Sequence, residues 1–400
     1  MTTVHFDLAD VEYRVNPWPF YARLRDEAPV LHLPQATWDG HDIYLISRYE
    51  DVNAALRDKK HYSSQIRQED YLNLPMLVNR DAPEHTRLRH MANQAFHARL
   101  VQTLGDWVQV IIDDLLTQVM SQRRVDLVDA YTTALPLRVV GGMLGIPLDR
   151  KADLRRWSQA VMNSFAVAAG MDPDLAPGFF EDLIEFGNYM GDLARERQQG
   201  ENPEDILGSL VRQHEAGTLT QEELVTMAWS FVAAGHETTM NLLGGGIHLL
   251  LTRPDLAETV AANPELTDAF IEEYLRMYPP TQWLLRRAKT DLCVQGVDIP
   301  EGALLHVLLG SANRDPRQYD EPETFDLHRP NKENHMAFGA GPHFCPGAAL
   351  SRLLARRTFL SIQPFLGRLS LDPNDPPELR QRQGSYGLAR FPVIIEGAQP

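Results

Sequence analysis

Apolar residues recur at helical spacing over most of this chain. Leu104, Val108, Ile111, Ile112, Leu115, Leu116 and Val119 fall on one face of a helix. Leu135, Leu137, Val139, Val140, Met143 and Leu144 mark a second, stopped by Gly145 and Pro147. A third covers 183–197, with glycine- and proline-rich breakers at 170–174, 176–178 and 199–203. The longest segment opens at Thr220-x-x-Glu223, a capping box, and can run to Thr252, where Arg253-Pro254 ends it. At the helical rise per residue that is about 50 Å. Much of it is apolar on all faces, which predicts a helix buried through the middle of the molecule. Further helices are predicted over 20–26, 47–57, 267–276 and 348–363.

Strand signals are short and few. Segments 30–33 and 43–47 flank a polar turn with Asp39-Gly40, and 291–295 and 297–299 turn back at Gly296. Segments 304–309 and 391–395 are strand-like. The expectation is a mainly α protein with small β-sheets. Residues 60–80 mix Tyr62, Tyr71, Leu72, Leu74, Met76 and Leu77 with Arg67, Gln68, Glu69 and Asp70 without a period, so they read as a loop on the core.

Composition narrows the function classes. The 400 residues are 44% apolar and 23% charged, an ordinary globular balance. A net charge of −16 argues against non-specific nucleic-acid binding, which needs a basic surface. Two cysteines, Cys293 and Cys345, make neither a disulfide framework nor a cysteine-rich zinc or iron–sulfur site, and point to a reducing cytoplasm. The first residues, MTTVHFDLADVEYR, lack the pattern of a signal peptide, and no run is long and apolar enough for a membrane anchor.

The sharpest chemistry lies at 338–350. Phe338-Gly339-x-Gly341-x-His343-x-Cys345-x-Gly347 presents one cysteine among glycines, just before the 348–363 helix. Glycines let backbone approach a flat cofactor, and a helix N-terminus favours thiolate over thiol. The competing reading is a buried cysteine in a turn. Inside the long helix, Ala233-Ala234-Gly235-His236-Glu237-Thr238-Thr239 places a carboxylate and a hydroxyl among apolar residues. Such groups are costly unless partnered or used. Gly235 is expected to break the helix and admit a flat ligand or a diatomic. A zinc-protease reading of His236-Glu237 fails because position 240 is Met240. His85 and Arg89 share a helix face and could bind a dianion; the bland alternative is a solvated face. Glu273 and Arg276 can pair at i, i+3.

The cysteine stretch matches every fixed position of the haem-binding signature of the cytochrome P-450 family, and the chain resembles that family nearly throughout. The resemblance implies one haem domain over 1–400, with haem b between the long central helix and the helix after the cysteine loop. It implies Cys345 as axial thiolate and His85, Arg89, Arg286 and His343 as propionate contacts, with Phe338, Gly339 and Ala234 beside the macrocycle. Glu237 and Thr238 resemble the family's acid–alcohol pair, which delivers protons. Glu273, Arg276 and Arg329 resemble its buried Glu–Arg–Arg core. Ala233, Trp283, Leu284 and Leu77 are candidate substrate contacts. A leucine at 354 departs from the glutamate of many members. The implied activity is oxygen insertion from O2 into a mainly apolar small organic substrate, with electrons from an external ferredoxin and its reductase. Arg352, Arg356 and His97 are candidate docking residues. Two alternatives remain: non-hydroxylating oxidation, such as coupling, desaturation or peroxide-driven chemistry, and a non-catalytic haem sensor.

Overall fold

The computed structural model describes residues 10–66, 76–95, 98–200, 203, 205–381 and 384–397. Its centre is the helix Gln221–Thr252, which runs without interruption through the main apolar core. The capping box forms as expected. Thr220 Oγ1 accepts from the Glu223 amide at 3.1 Å, and Glu223 Oε2 accepts from the Thr220 amide at 2.9 Å. Leu249 O accepts from the Arg253 amide at the other end, just before Pro254.

The expected break at Gly235 does not occur. The helix stays α-helical there, and the missing side chain serves packing instead. A Cβ on Gly235 would lie 2.8 Å from Val140 Cγ2, on the helix Ala134–Met143. Further along, a Cβ on Gly245 would lie 1.7 Å from the Tyr274 hydroxyl, and one on Gly246 would lie 2.3 Å from Phe359 Cζ. The glycine run therefore lets the central helix cross Thr267–Met277 and Ala348–Ile362 closely.

Around this axis pack Ala98–Met120, Ala134–Met143, Lys151–Ala168, Phe179–Gln199 and Ile206–Glu215, the helices of the periodic middle of the chain. The β content is small. The largest sheet has five strands in the order Val30–Leu33, Ile43–Ile46, Leu304–Val307, Leu284–Ala288, Tyr62–Ser63. Ile43 pairs with Leu304 in the one parallel ladder of that sheet; its other ladders are antiparallel. The hairpin Leu292–Val294 with Val297–Ile299 forms at Gly296 as expected. Strand Leu284–Ala288 carries no clean alternation in sequence and was not anticipated. Its pairing positions Arg286, as described below.

Glu273, Arg276 and Arg329 form a buried ion cluster. Glu273 and Arg276, both 0% exposed, pair through two hydrogen bonds of 2.8 Å. Arg329 Nε and the Asp326 amide each donate to Glu273 Oε1 at 3.0 Å. The remaining guanidinium donors reach carbonyls of Asn313, Pro322 and Thr324 from Arg276, and of Asp320, Glu321 and Thr324 from Arg329. Full satisfaction is what makes a buried ion cluster tolerable. It pins the irregular 313–329 segment against the helix that precedes the sheet.

Candidate active site

The cysteine loop is closed by its own backbone. The Cys345 amide donates to Phe338 O at 2.9 Å, and the Gly339 amide donates to Met336 O at 2.8 Å. Gly339 and Gly341 both adopt φ +69°, a left-handed conformation that favours glycine. At Gly341 a Cβ would also lie 2.7 Å from Leu56 O, so the loop presses directly on the end of helix Tyr49–Arg57. Gly347 caps the helix Ala348–Ile362 that follows.

Burial pushes the Cys345 thiol up, against the amides of Gly347 and Ala348 and the charges of Arg89 and Arg352. The net direction is opposite to that expected from a helix N-terminus alone, because desolvation of the thiolate outweighs the dipole. A buried thiol of this kind ionises outright when a metal cation binds it.

Beside the loop lies a cluster of basic groups. The rings of His85 and His343 sit 3.9 Å apart, centroid to centroid. Arg286 is 5% exposed on the inward face of its strand, while Arg287 turns outward to Gly302 O. Arg89 Nη1 donates to Phe344 O at 2.6 Å, which ties the Glu84–Ala95 helix to the cysteine loop. Burial lowers the affinity of all four for a proton: His343 falls to about 3 and Arg286 to about 10, each by desolvation first, and His85 and Arg89 shift the same way. Among the described residues none of the four makes an ion pair, and His85 Nε2 and Arg286 Nη2 are buried without a hydrogen-bond partner. Such donors are expensive to leave unmet. A polyanionic group fits them, and a thiolate-ligated haem with two carboxylates supplies that group's chemistry.

On the central helix, Ala234 is exposed, Gly235 and Thr238 are half-buried, and the other residues from 231 to 240 are buried. The helix thus opens one narrow face. Thr238 Oγ1 donates back to Ala234 O at 2.6 Å. Glu237 is buried, and its Oε1 accepts from Ser385 Oγ at 2.8 Å. His236 is buried on another side, with Nδ1 2.9 Å from Ser158 Oγ, and burial drives it down to about 4.

Several expected contacts are corrected. Ala233 is 0% exposed within the main core, so it does not share the open face of Ala234. Leu77 is likewise packed into that core. Trp283 is stacked on His306 at 4.2 Å and covered by Gly384, where a Cβ would meet its ring at 2.7 Å. Leu284 stays beside the cysteine loop, with Cδ1 3.4 Å from the position of a Gly339 Cβ. Leu354 is buried apolar core, so no ion pair forms at that position. Arg352 and Arg356 are ion-paired, to Glu272 at 2.7 Å and to Asp268 at 2.6 Å. Their charges are therefore already engaged within the chain. His97 lies outside the described residues.

Two features were missed in the sequence. Ser385 reaches Glu237 from a C-terminal turn, and no local pattern marks it. Glu272, next to the expected Glu273, binds Arg352 through two bonds of 2.7 Å and His335 at 3.2 Å, while the Arg352 guanidinium lies 4.6 Å above the Phe338 ring. The paired glutamates were the available signal.

Comparison with known proteins agrees with this fold. A family model described as "Cytochrome P450" matches residues 16–385. The chain is 34% identical to a "Vitamin D(3) 25-hydroxylase" of Pseudonocardia autotrophica, covering 98% of this chain and 97% of that protein. It is 32% identical to a "6-deoxyerythronolide B hydroxylase" of Saccharopolyspora erythraea, covering 99% and 100%. The crystal structure of CYP109E1 from Bacillus megaterium in complex with testosterone superposes with a TM-score of 0.88 at 27% identity, covering 97% of this chain and 100% of that one. With the fold, the cysteine loop and relatives of full length in agreement, the chain belongs to the cytochrome P450 family.

Proposed function

We propose that this chain is a single haem domain that inserts one atom of O2 into a bulky, mainly apolar organic substrate, with electrons supplied by a separate ferredoxin-type donor. The broader statement needs no proposal: it is a P450 monooxygenase, an oxidoreductase of the family that carries haem b and acts on small organic substrates. The observation that carries the haem site of this reading is the juxtaposition of the Cys345 loop with four basic groups that make no ion pair among the described residues, two of them with a buried nitrogen that lacks a hydrogen-bond partner.

Bound haem b would supply oxygen activation, with electron density donated by a thiolate ligand. Cys345 is the residue to hold it, since Cys293 is exposed on the far hairpin strand. His85, Arg89, Arg286 and His343 would hold its carboxylates. Phe338 and Gly339 shape the loop side, and Ala234 offers a small side chain on the helix side. Thr238 presents a hydroxyl on the open face, and the Glu237 carboxyl is its neighbour in the chain; together they serve as the proton-delivery pair.

Relatives named for vitamin D(3) and 6-deoxyerythronolide B, and a structural neighbour solved with testosterone, support a bulky apolar substrate. Of the substrate contacts expected from sequence, Leu284 alone is half-buried rather than buried. A separate ferredoxin-type donor is the expectation that the family resemblance carries. The two reduced thiols suit a cytoplasmic setting, and no helix of the described residues is long and apolar enough to cross a membrane.

The carbon monoxide difference spectrum of the reduced protein tests the thiolate ligation. The expected outcome is the red-shifted Soret band of haem-thiolate proteins; its absence in Cys345-intact, haem-loaded protein overturns the reading. Product analysis with isotopic O2 then separates insertion from coupling or desaturation.

A further inference from the structure

Glu237 does not stand alone on the central helix. Asn241 lies one turn further along the same face. Ser385 bridges the two: Asn241 Nδ2 donates to Ser385 Oγ at 3.0 Å, and Ser385 Oγ donates to Glu237 Oε1 at 2.8 Å. The amide nitrogen can only donate, so it takes a lone pair of the serine oxygen. The single hydroxyl proton is then left for the carboxylate. All three residues are buried.

The turn that carries Ser385 is fixed from both sides. Thr281 and Ser385 form an isolated antiparallel bridge. The Gln282 amide donates to Gly384 O, and the Tyr386 amide donates to Pro280 O, each at 2.9 Å. Gly387 meets the central helix so closely that a Cβ there would lie 2.2 Å from Asn241 Oδ1. Gly384 adopts φ +74°, a second demand for glycine in the same turn. A surface turn built merely to end a hairpin would need neither contact.

We infer that Ser385 is a positioning residue for the acid Glu237, held in its own orientation by Asn241. The inference rests on the reading of Glu237 as the proton-delivering group and adds what fixes that group. A glutamate side chain has several rotamers of similar energy. A hydrogen bond from a hydroxyl on a rigid turn selects one of them. Ser385 does not itself supply a proton, because Asn241 has no acidic hydrogen to replace one.

The test compares Glu237→Gln, Ser385→Ala and Ser385→Thr in the haem-loaded full chain, using a substrate chosen from a spin-state binding screen. Glu237→Gln is expected to lower product formed per reductant consumed and to raise peroxide release. Ser385→Ala is expected to move both in the same direction by about five- to ten-fold, the scale of one lost hydrogen bond. It should also change the pH profile of coupling, while the substrate dissociation constant stays within about two-fold. Ser385→Thr, which keeps the hydroxyl, restores coupling. A crystal structure of Ser385→Ala, independent of turnover, is expected to show the Glu237 carboxylate displaced from its wild-type position. If Glu237→Gln leaves coupling unchanged, the proton-delivery reading of Glu237 falls. If Glu237→Gln uncouples the enzyme but Ser385→Ala neither uncouples it nor displaces Glu237, the positioning role of Ser385 is overturned.

Discussion

Gly235 lies against Val140 so closely that a methyl group added to the glycine would sit 2.8 Å from Val140 Cγ2. A glycine in mid-helix costs about 1 kcal/mol relative to alanine. Here that cost is offset by the close approach of Ala134–Met143 to the central helix.

The contact gives a direct prediction. Gly235→Ala gains helix propensity but forces a stiff, β-branched neighbour to move, and overpacking of this kind costs about 1–3 kcal/mol. The net expectation is a loss of about 1 kcal/mol. Val140→Ala should suppress it, so that the double variant is more stable than the sum of the single effects. Denaturant unfolding of the four proteins measures the coupling.

Glu273 is predicted to be the least replaceable residue of the structural core. Glu273→Ala leaves two buried guanidinium groups facing each other, since Arg276 and Arg329 both donate to that carboxylate. Breaking a buried pair from one side costs about 3–5 kcal/mol. The expected outcome is a large fall in soluble, haem-loaded protein at unchanged expression, read from the Soret absorbance per milligram. Arg356→Ala, which breaks an exposed pair with Asp268, should cost less than about 1 kcal/mol.

Arg286 separates cofactor retention from folding. Its Nη2 has no partner among the described residues, so Arg286→Leu removes an unmet buried donor and should not destabilise the haem-free chain. It should instead weaken haem binding, because the proposed contact of this guanidinium with a haem carboxylate is lost. The expected rise in the rate of haem transfer to a scavenger globin is about ten-fold or more. Arg287→Leu, whose guanidinium faces Gly302 O, should change that rate little.

The long helix, its cap, the early hairpin and the Glu273–Arg276 pair were legible in sequence because each is local. Thr220 and Glu223 carry their own partner three residues away, and Glu273 finds Arg276 at i, i+3. The basic cluster was legible through spacing and resemblance, and the structure resolves Arg286 from Arg287 through strand alternation. What sequence could not show is long-range. Gly235 looked like a site for a ligand because its true neighbour, Val140, is 95 positions earlier in the chain. Ser385 reaches Glu237 over a separation of 148 residues. Ala233 and Trp283 looked like lining because apolar residues near a site read alike whether they face the pocket or the core.

Acid should weaken the bracing of the cysteine loop through Glu272. Burial alone would raise this carboxyl, but hydrogen bonds from Arg352 and His335 outweigh it and hold the group at about 2, from an ordinary value of 4.5. A depressed folded-state value means the unfolded chain binds the proton more readily. The contribution is therefore fully present above about pH 4.5 and is lost as pH falls toward 2. Glu272→Gln removes the charge and with it that dependence. The stability difference between wild type and Glu272→Gln, taken from denaturant midpoints, should be largest above pH 4.5 and shrink steadily below it. Because Arg352 also lies over Phe338, the same variant should loosen the loop that presents Cys345. Faster exchange of the Cys345 amide, which is bonded to Phe338 O, is the measurement that reports it. An unchanged exchange rate would confine Glu272 to global stability and remove it from the support of the site.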